Sequence, residues 1–213
     1  MATYVLVPGF WLGGWAWDAV SSAMGDHDVH AVSLDASPDA TLEDHTQDIL
    51  RVLSGLSDVI LVGHSGGGMP VSQAADRMPD RISRVVYVDS GPLPDGVSQA
   101  DTAPETLPPG DGPIPPSPLV TSVLSSVGLP ADRCHPQPRR TATDPVRRTG
   151  GRPVPQALIT CSFPLDQVRS MIDDGHPYFA LLKGADVYAL PTSHWPMFTE
   201  PKALASLLSS LTE

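Results

Sequence analysis

One serine stands between a histidine and three glycines in DVILVGHSGGGMPVSQAADRMP, residues 58–79. A glycine run costs backbone entropy, so it marks either positive φ or the close approach of another group. Phosphate cradling is one chemistry that asks for this. A Walker-type loop, however, needs a Lys-Ser/Thr pair after its glycines, and a dinucleotide fingerprint needs G-x-G-x-x-G. GHSGGGMPV supplies neither. It does match G-x-S-x-G, as Gly63-His64-Ser65-Gly66-Gly67. An apolar run (59–63) precedes it and a helical pattern (68–77) follows, which is the setting of a nucleophile on a tight strand-to-helix turn. Small neighbours then let a carbonyl approach the Ser65 hydroxyl. The Gly66 backbone N–H, at the start of a helix, is aimed at the oxyanion that would form. The alternative is a glycine-rich turn without chemistry.

A serine so placed needs a general base. In chains with this turn the base comes near the C-terminal end. His194, in YALPTSHWPMFTEP, lies just past the last apolar run and before the last helical pattern. His27, His30, His45, His135 and His176 fall in helical patterns or connections and read as incidental. A serine–histidine pair of this kind needs no metal and no organic cofactor, and neither is expected.

The elements that must carry these groups follow from hydrophobic patterning. Six short runs recur: TYVLV (3–7), VHAVSL (29–34), VILVG (59–63), RVVYVD (84–89), ALITC (157–161) and DVYAL (186–190). Most are apolar nearly throughout, as strands buried on both faces of a parallel sheet are. Helical patterns lie between them, at 14–25, 41–56 and 68–77, with another at 200–212. Thr41 and Asp44 open the second as a capping box. Strand–helix alternation predicts an α/β fold, a doubly wound, mostly parallel sheet of about six strands with helices on both faces.

Residues 92–155 break the rhythm. They hold 15 of the 24 prolines and 6 of the 13 Lys/Arg residues, and only 118–128 looks helical. A connection this long inside a compact domain is usually a lid or binding insert. The expectation is one domain, 1–213, with 92–154 as a small proline-rich cap. A disordered linker is the competing reading of the same composition.

Totals narrow the function classes. A net charge of −11 argues against nucleic acid or an anionic membrane as the main partner. Cys134 and Cys161 show no zinc spacing and are expected as separate thiols in a reducing compartment. The N-terminus lacks the basic and apolar regions of a signal peptide, and no run reaches the ~20 apolar residues of a membrane span. A cytoplasmic monomer or homodimer acting on a small molecule is expected.

Residues 3–91 and 155–213 together resemble the α/β-hydrolase superfamily. VPGFWLGGWAWDAV is similar to its HG-x-x-x-G-x-W oxyanion stretch, and SHWPMFTEP to its catalytic-histidine segment. The combination resembles small esterases of the plant methyl-ester esterase and hydroxynitrile lyase group. The resemblance implies a second oxyanion donor, the backbone N–H of Phe10. It also exposes a departure, because Pro8-Gly9 stands where the family usually has His-Gly. That removes a loop-bracing hydrogen bond, although proline restricts φ itself.

The acid partner of the histidine is less evident. The family most often carries it after the second-last strand, but TCSF there has no carboxylate, and Asp166 is the first one beyond. Asp89, at the end of strand 84–89, lies on the same sheet edge as Ser65 and His194 and is favoured. Asp166 is the alternative and the absence of an acid a third option. Trp11, Met69 and Trp195 flank the motifs and are candidates for an apolar substrate pocket, with core packing as the other reading. The expected activity is cleavage of a small, largely apolar carboxylic ester through an acyl-enzyme. A lyase, lactonase or cyclase on the same scaffold is the first rival, and a non-catalytic ligand-binding protein the second.

Overall fold

The computed structural model describes residues 1–104 and 107–212. Residues 105 and 106, inside the expected cap, and residue 213 lie outside the described residues. Six strands form one sheet: β1 (Thr3–Val7), β2 (Asp28–Ala31), β3 (Val59–His64), β4 (Ile82–Val88), β5 (Gln156–Thr160) and β6 (Asp186–Ala189). Their spatial order is β2-β1-β3-β4-β5-β6 and every pairing is parallel. The chain thus winds outward from β1 in both directions. β3 and β4 lie at the centre, and all six residues of β3 are buried.

The helices are α1 (Asp18–Ala23), α2 (Leu42–Ser54), α3 (Gly68–Arg77), α4 (Gln99–Thr102), α5 (Pro118–Ser126), α6 (Arg140–Thr143), α7 (Leu165–Asp173), α8 (Pro196–Thr199) and α9 (Pro201–Ser210). Alternate strand residues sort onto two faces. Tyr4, Leu6, Val62 and Ile159 pack with Val20 of α1 and with Leu204 and Leu208 of α9. Val5, Leu61 and Leu158 pack with Ile49 and Leu53 of α2, Val71 of α3 and Ile172 of α7. Burial on both faces is why the strand sequences do not alternate. The Thr41–Asp44 capping box is formed, satisfying otherwise orphaned N–H groups at the start of α2.

Two predicted boundaries shift by three or more residues. The 14–25 pattern begins as a 3₁₀ turn, Gly14–Trp17, before α1. The expected strand 29–34 is β2, Asp28–Ala31. Just beyond it, the Ser33 hydroxyl accepts a hydrogen bond from Gly14 N–H at 3.1 Å, where the chain leaves the edge of the sheet.

The proline-rich stretch carries α4, α5 and α6 and a bridge between Ile114 and Gln137. Specific polar contacts fix its course. Arg139 donates to the carbonyls of Pro108 (3.0 Å) and Gly112 (2.8 Å). The buried Asp76 carboxylate of α3 accepts from Thr149 N–H and hydroxyl and from Gly151 N–H. Gln73 of α3 accepts from Arg147 N–H. The returning limb is therefore stitched to α3, the helix that starts at the glycine run.

Candidate active site

Ser65 follows β3 with φ 49°, a left-handed conformation unusual for a residue with a side chain. Trp11 (φ 68°) and Asp89 (φ 46°) share this property, and among the described residues Asp58 is the only other non-glycine that does. Strained backbone collects at three points of one site. The glycines beside Ser65 serve close approach, because the positive φ belongs to the serine itself. A Cβ at Gly66 would collide with the Phe10 ring, and one at Gly67 with the Pro8 carbonyl oxygen. The loop after β1 can thus lie directly on the start of α3. The Ser90 hydroxyl donates to the Ser65 carbonyl at 2.5 Å and holds the turn from its other side.

His194 reaches this turn from the connection after β6. Its Nε2 lies 2.8 Å from Ser65 Oγ and its Nδ1 2.6 Å from Asp89 Oδ2. An ionised carboxylate only accepts, so Nδ1 carries the proton and the neutral ring leaves Nε2 to accept from the serine hydroxyl. The Asp89 side chain is 2% exposed. Its Oδ1 also accepts from the backbone N–H groups of Cys161 (2.8 Å) and Ser162 (3.0 Å), and its Oδ2 from the Ser162 hydroxyl (2.5 Å). Burial alone would raise its pKa. The hydrogen bonds and charge complementarity from His194, with those from Ser162 and Cys161, outweigh burial and hold it at about 2. Asp166, the other candidate, is exposed in the first turn of α7.

The histidine inside the glycine motif has its own place. His64 is fully buried, and its Nε2–H donates to the backbone carbonyl of His194 at 2.7 Å. Burial pushes its pKa down to about 3, so the ring is neutral. The residue before the serine thereby ties down the residue that would act as base.

Among the described residues, the backbone N–H of Phe10 has no hydrogen-bond partner, and Gly66 sits directly after the serine in the 3₁₀ turn Ser65–Gly67. These two amides are the candidate donors to a ligand. The missing histidine before Gly9 is replaced by bracing from the proline-rich stretch. Trp11 N–H donates to Gln137 Oε1 (3.0 Å), Trp11 Nε1–H to the Ile114 carbonyl (3.2 Å), and the Trp11 carbonyl accepts from His135 N–H (3.1 Å). Gln137 is itself buried and bonded to Thr141.

A cavity of about 990 Å³ opens over Ser65. Phe10, Trp11 and Trp195 line it, as do Ile114 and Leu119 from the proline-rich stretch and Phe163 after β5. Met69 does not. Four residues along from the serine, it is buried with Leu42, Leu93 and Val146, so its place is core packing. Sequence reasoning missed Ser162, Gln137, and the pocket residues His176 and Tyr178. Ser162 follows β5 on the reactive edge, a positional signal that could have flagged it; Tyr178 comes only after α7 and had none. Gln137 left no signal in CHPQPRR.

The sequence model of the Alpha/beta hydrolase family matches residues 4–207. The chain belongs to this family. Among curated relatives of this α/β-hydrolase is the carbendazim hydrolyzing esterase of Nocardioides sp. (strain SG-4G), 30% identical over 246 aligned residues, covering 99% of this chain and 100% of that protein. Methylesterase 9 of Arabidopsis thaliana is 37% identical over 103 residues, 42% of this chain and 40% of that one. Of solved structures, an extracellular alpha/beta-hydrolase from a Paenibacillus species superposes with a TM-score of 0.77 at 21% identity, covering 99% of this chain and 98% of that one. That likeness is one of fold. No helix among the described residues is long and apolar enough to cross a membrane.

Proposed function

We propose that the protein is a carboxylic-ester hydrolase working through an acyl-enzyme on Ser65, with residues 92–154 forming a cap over the site. The observation that carries this reading is the continuous relay from the Ser65 hydroxyl through His194 to the buried Asp89, at the floor of an apolar cavity. Ser65 Oγ attacks the ester carbonyl as its proton passes to His194 Nε2. The Phe10 and Gly66 N–H groups stabilise the tetrahedral oxyanion. Collapse breaks the C–O bond to the alcohol, which leaves with the proton from His194. Water, deprotonated by the same nitrogen, then cleaves the acyl-enzyme and restores the serine. Asp89 holds the tautomer and offsets the positive charge that the ring gains in each half-reaction.

The names of the esterase relatives support the reaction class. The test is turnover of 4-nitrophenyl acetate by the wild-type protein and Ser65→Ala. The variant is expected to fold normally and to lose several orders of magnitude in kcat. Activity near that of the wild type would remove Ser65 from the reaction.

A further inference from the structure

The cavity's composition and its position on the sheet bear on the substrate's shape and charge. Ser65 follows β3, third in the spatial order β2-β1-β3-β4-β5-β6. Phe10 and Trp11, after β1, line the cavity on one side of the serine, and Phe163, Met171 and Phe179, after β5, line it on the other. Apolar side chains from connections on both sides of β3 in the strand order thus flank the reacting atom. At about 990 Å³ the cavity sits at the upper end of small-molecule sites, ~300–1,000 Å³. A methyl ester would leave the apolar lining on one side of the serine uncovered. At the rim, Leu119 is 69% exposed and Phe163 46%, so the apolar lining continues to the surface.

Charge selects as strongly as shape. No Lys or Arg is among the described residues lining the cavity, and its ionisable groups of the acid or imidazole kind are Asp89, His176 and His194. Asp89 is held as an anion and its lone pairs are committed to His194, Ser162 and Cys161. A carboxylate on the substrate would lose hydration and meet no Lys or Arg among the described lining residues. The chain's net charge of −11 opposes its approach as well.

We propose that the preferred substrate is a neutral ester carrying a bulky apolar or aromatic group on both sides of the scissile carbonyl. This rests on the ester-hydrolase reading and adds the two-armed, uncharged substrate class. It also bears on turnover, because the acid product becomes an anion in a cavity with no Lys or Arg among its described lining residues to retain it.

Four esters given to the purified full chain test it: 4-nitrophenyl acetate, methyl 3-phenylpropanoate, 4-nitrophenyl 3-phenylpropanoate, and the last with a carboxylate on the phenyl ring. In an apolar pocket one methylene is worth about tenfold or more in kcat/KM. The neutral two-sided ester is expected to exceed both one-sided esters by at least about tenfold, and the carboxylate analogue to fall by at least as much. Phe163→Ala, at a half-exposed position, should narrow the preference over 4-nitrophenyl acetate by about tenfold. Equal or better turnover of a one-sided ester or of the carboxylate analogue overturns the inference while leaving the ester-hydrolase reading intact. Absence of turnover of all four, with no fluorophosphonate label on Ser65, overturns both.

Discussion

Two histidines at this site differ by which groups surround them. His194 stands between a serine hydroxyl and a carboxylate; His64 sits in the interior with one carbonyl partner. Asp89→Asn keeps the shape but not the acceptor that fixes the His194 proton on Nδ1. On the triad reading, kcat for an aryl ester is expected to fall by about 10⁴, while Asp166→Asn leaves it unchanged. Equal effects of the two substitutions would remove Asp89 from the relay. His64 makes a separate prediction about stability. Its folded pKa, about 3, lies below the ordinary 6.5, so the unfolded chain takes up a proton that the folded chain refuses. Stability should fall as pH drops from about 6.5 toward 3, by up to about 1.4 kcal/mol per pH unit. Asp89 adds a loss lower down, between about 3.8 and 2, because its folded pKa is depressed. Urea midpoints from pH 7 to 4 read the first effect, and His64→Gln, which cannot titrate, should flatten the slope in that window.

At the scale of elements, the connections after β1, β3, β4 and β6 bring Phe10, Ser65, Asp89 and His194 to one sheet edge. The strands and major helices were legible because apolar runs and 3.6-residue stripes are local properties, and the Thr41–Asp44 box marks its helix start in four letters. The proline-rich stretch was not legible. Its order comes from contacts distant in sequence, such as Arg139 on the Gly112 carbonyl and Thr149 on Asp76, and prolines leave no periodicity to read. Met69 misled for a different reason. Nearness in sequence to Ser65 suggested the pocket, but α3 turns that position into the cluster with Leu42 and Leu93. The choice between Asp89 and Asp166 also needed three dimensions, since both follow strands of the same edge. Gln137→Leu would strip the acceptor from Trp11 N–H and loosen the loop that carries Phe10. Removing one partner of a buried hydrogen bond costs ~1–3 kcal/mol. A fall in kcat of about tenfold or more, with KM less affected, is expected for 4-nitrophenyl acetate; an unchanged kcat would show that the loop holds its shape without Gln137.

For the whole molecule, residues from both ends of the chain must meet before any chemistry is possible. Phe10 comes from the first connection and His194 from the last, and the stretch between β4 and β5 touches Trp11 and contributes residues to the cavity lining. On the proposed reading, an acidic chain whose largely apolar cavity has no Lys or Arg among its described lining residues suits uncharged substrates. The central claim is that Ser65 becomes covalently acylated. Intact-protein mass spectrometry after rapid acid quench of a reaction with 4-nitrophenyl 3-phenylpropanoate tests it most directly. The expected result is a mass increase of one phenylpropanoyl group, located by peptide mapping on Ser65 and absent in Ser65→Ala. Steady turnover with no adduct in the wild type at any quench time and no fluorophosphonate label on Ser65, or an adduct on another residue, would contradict it.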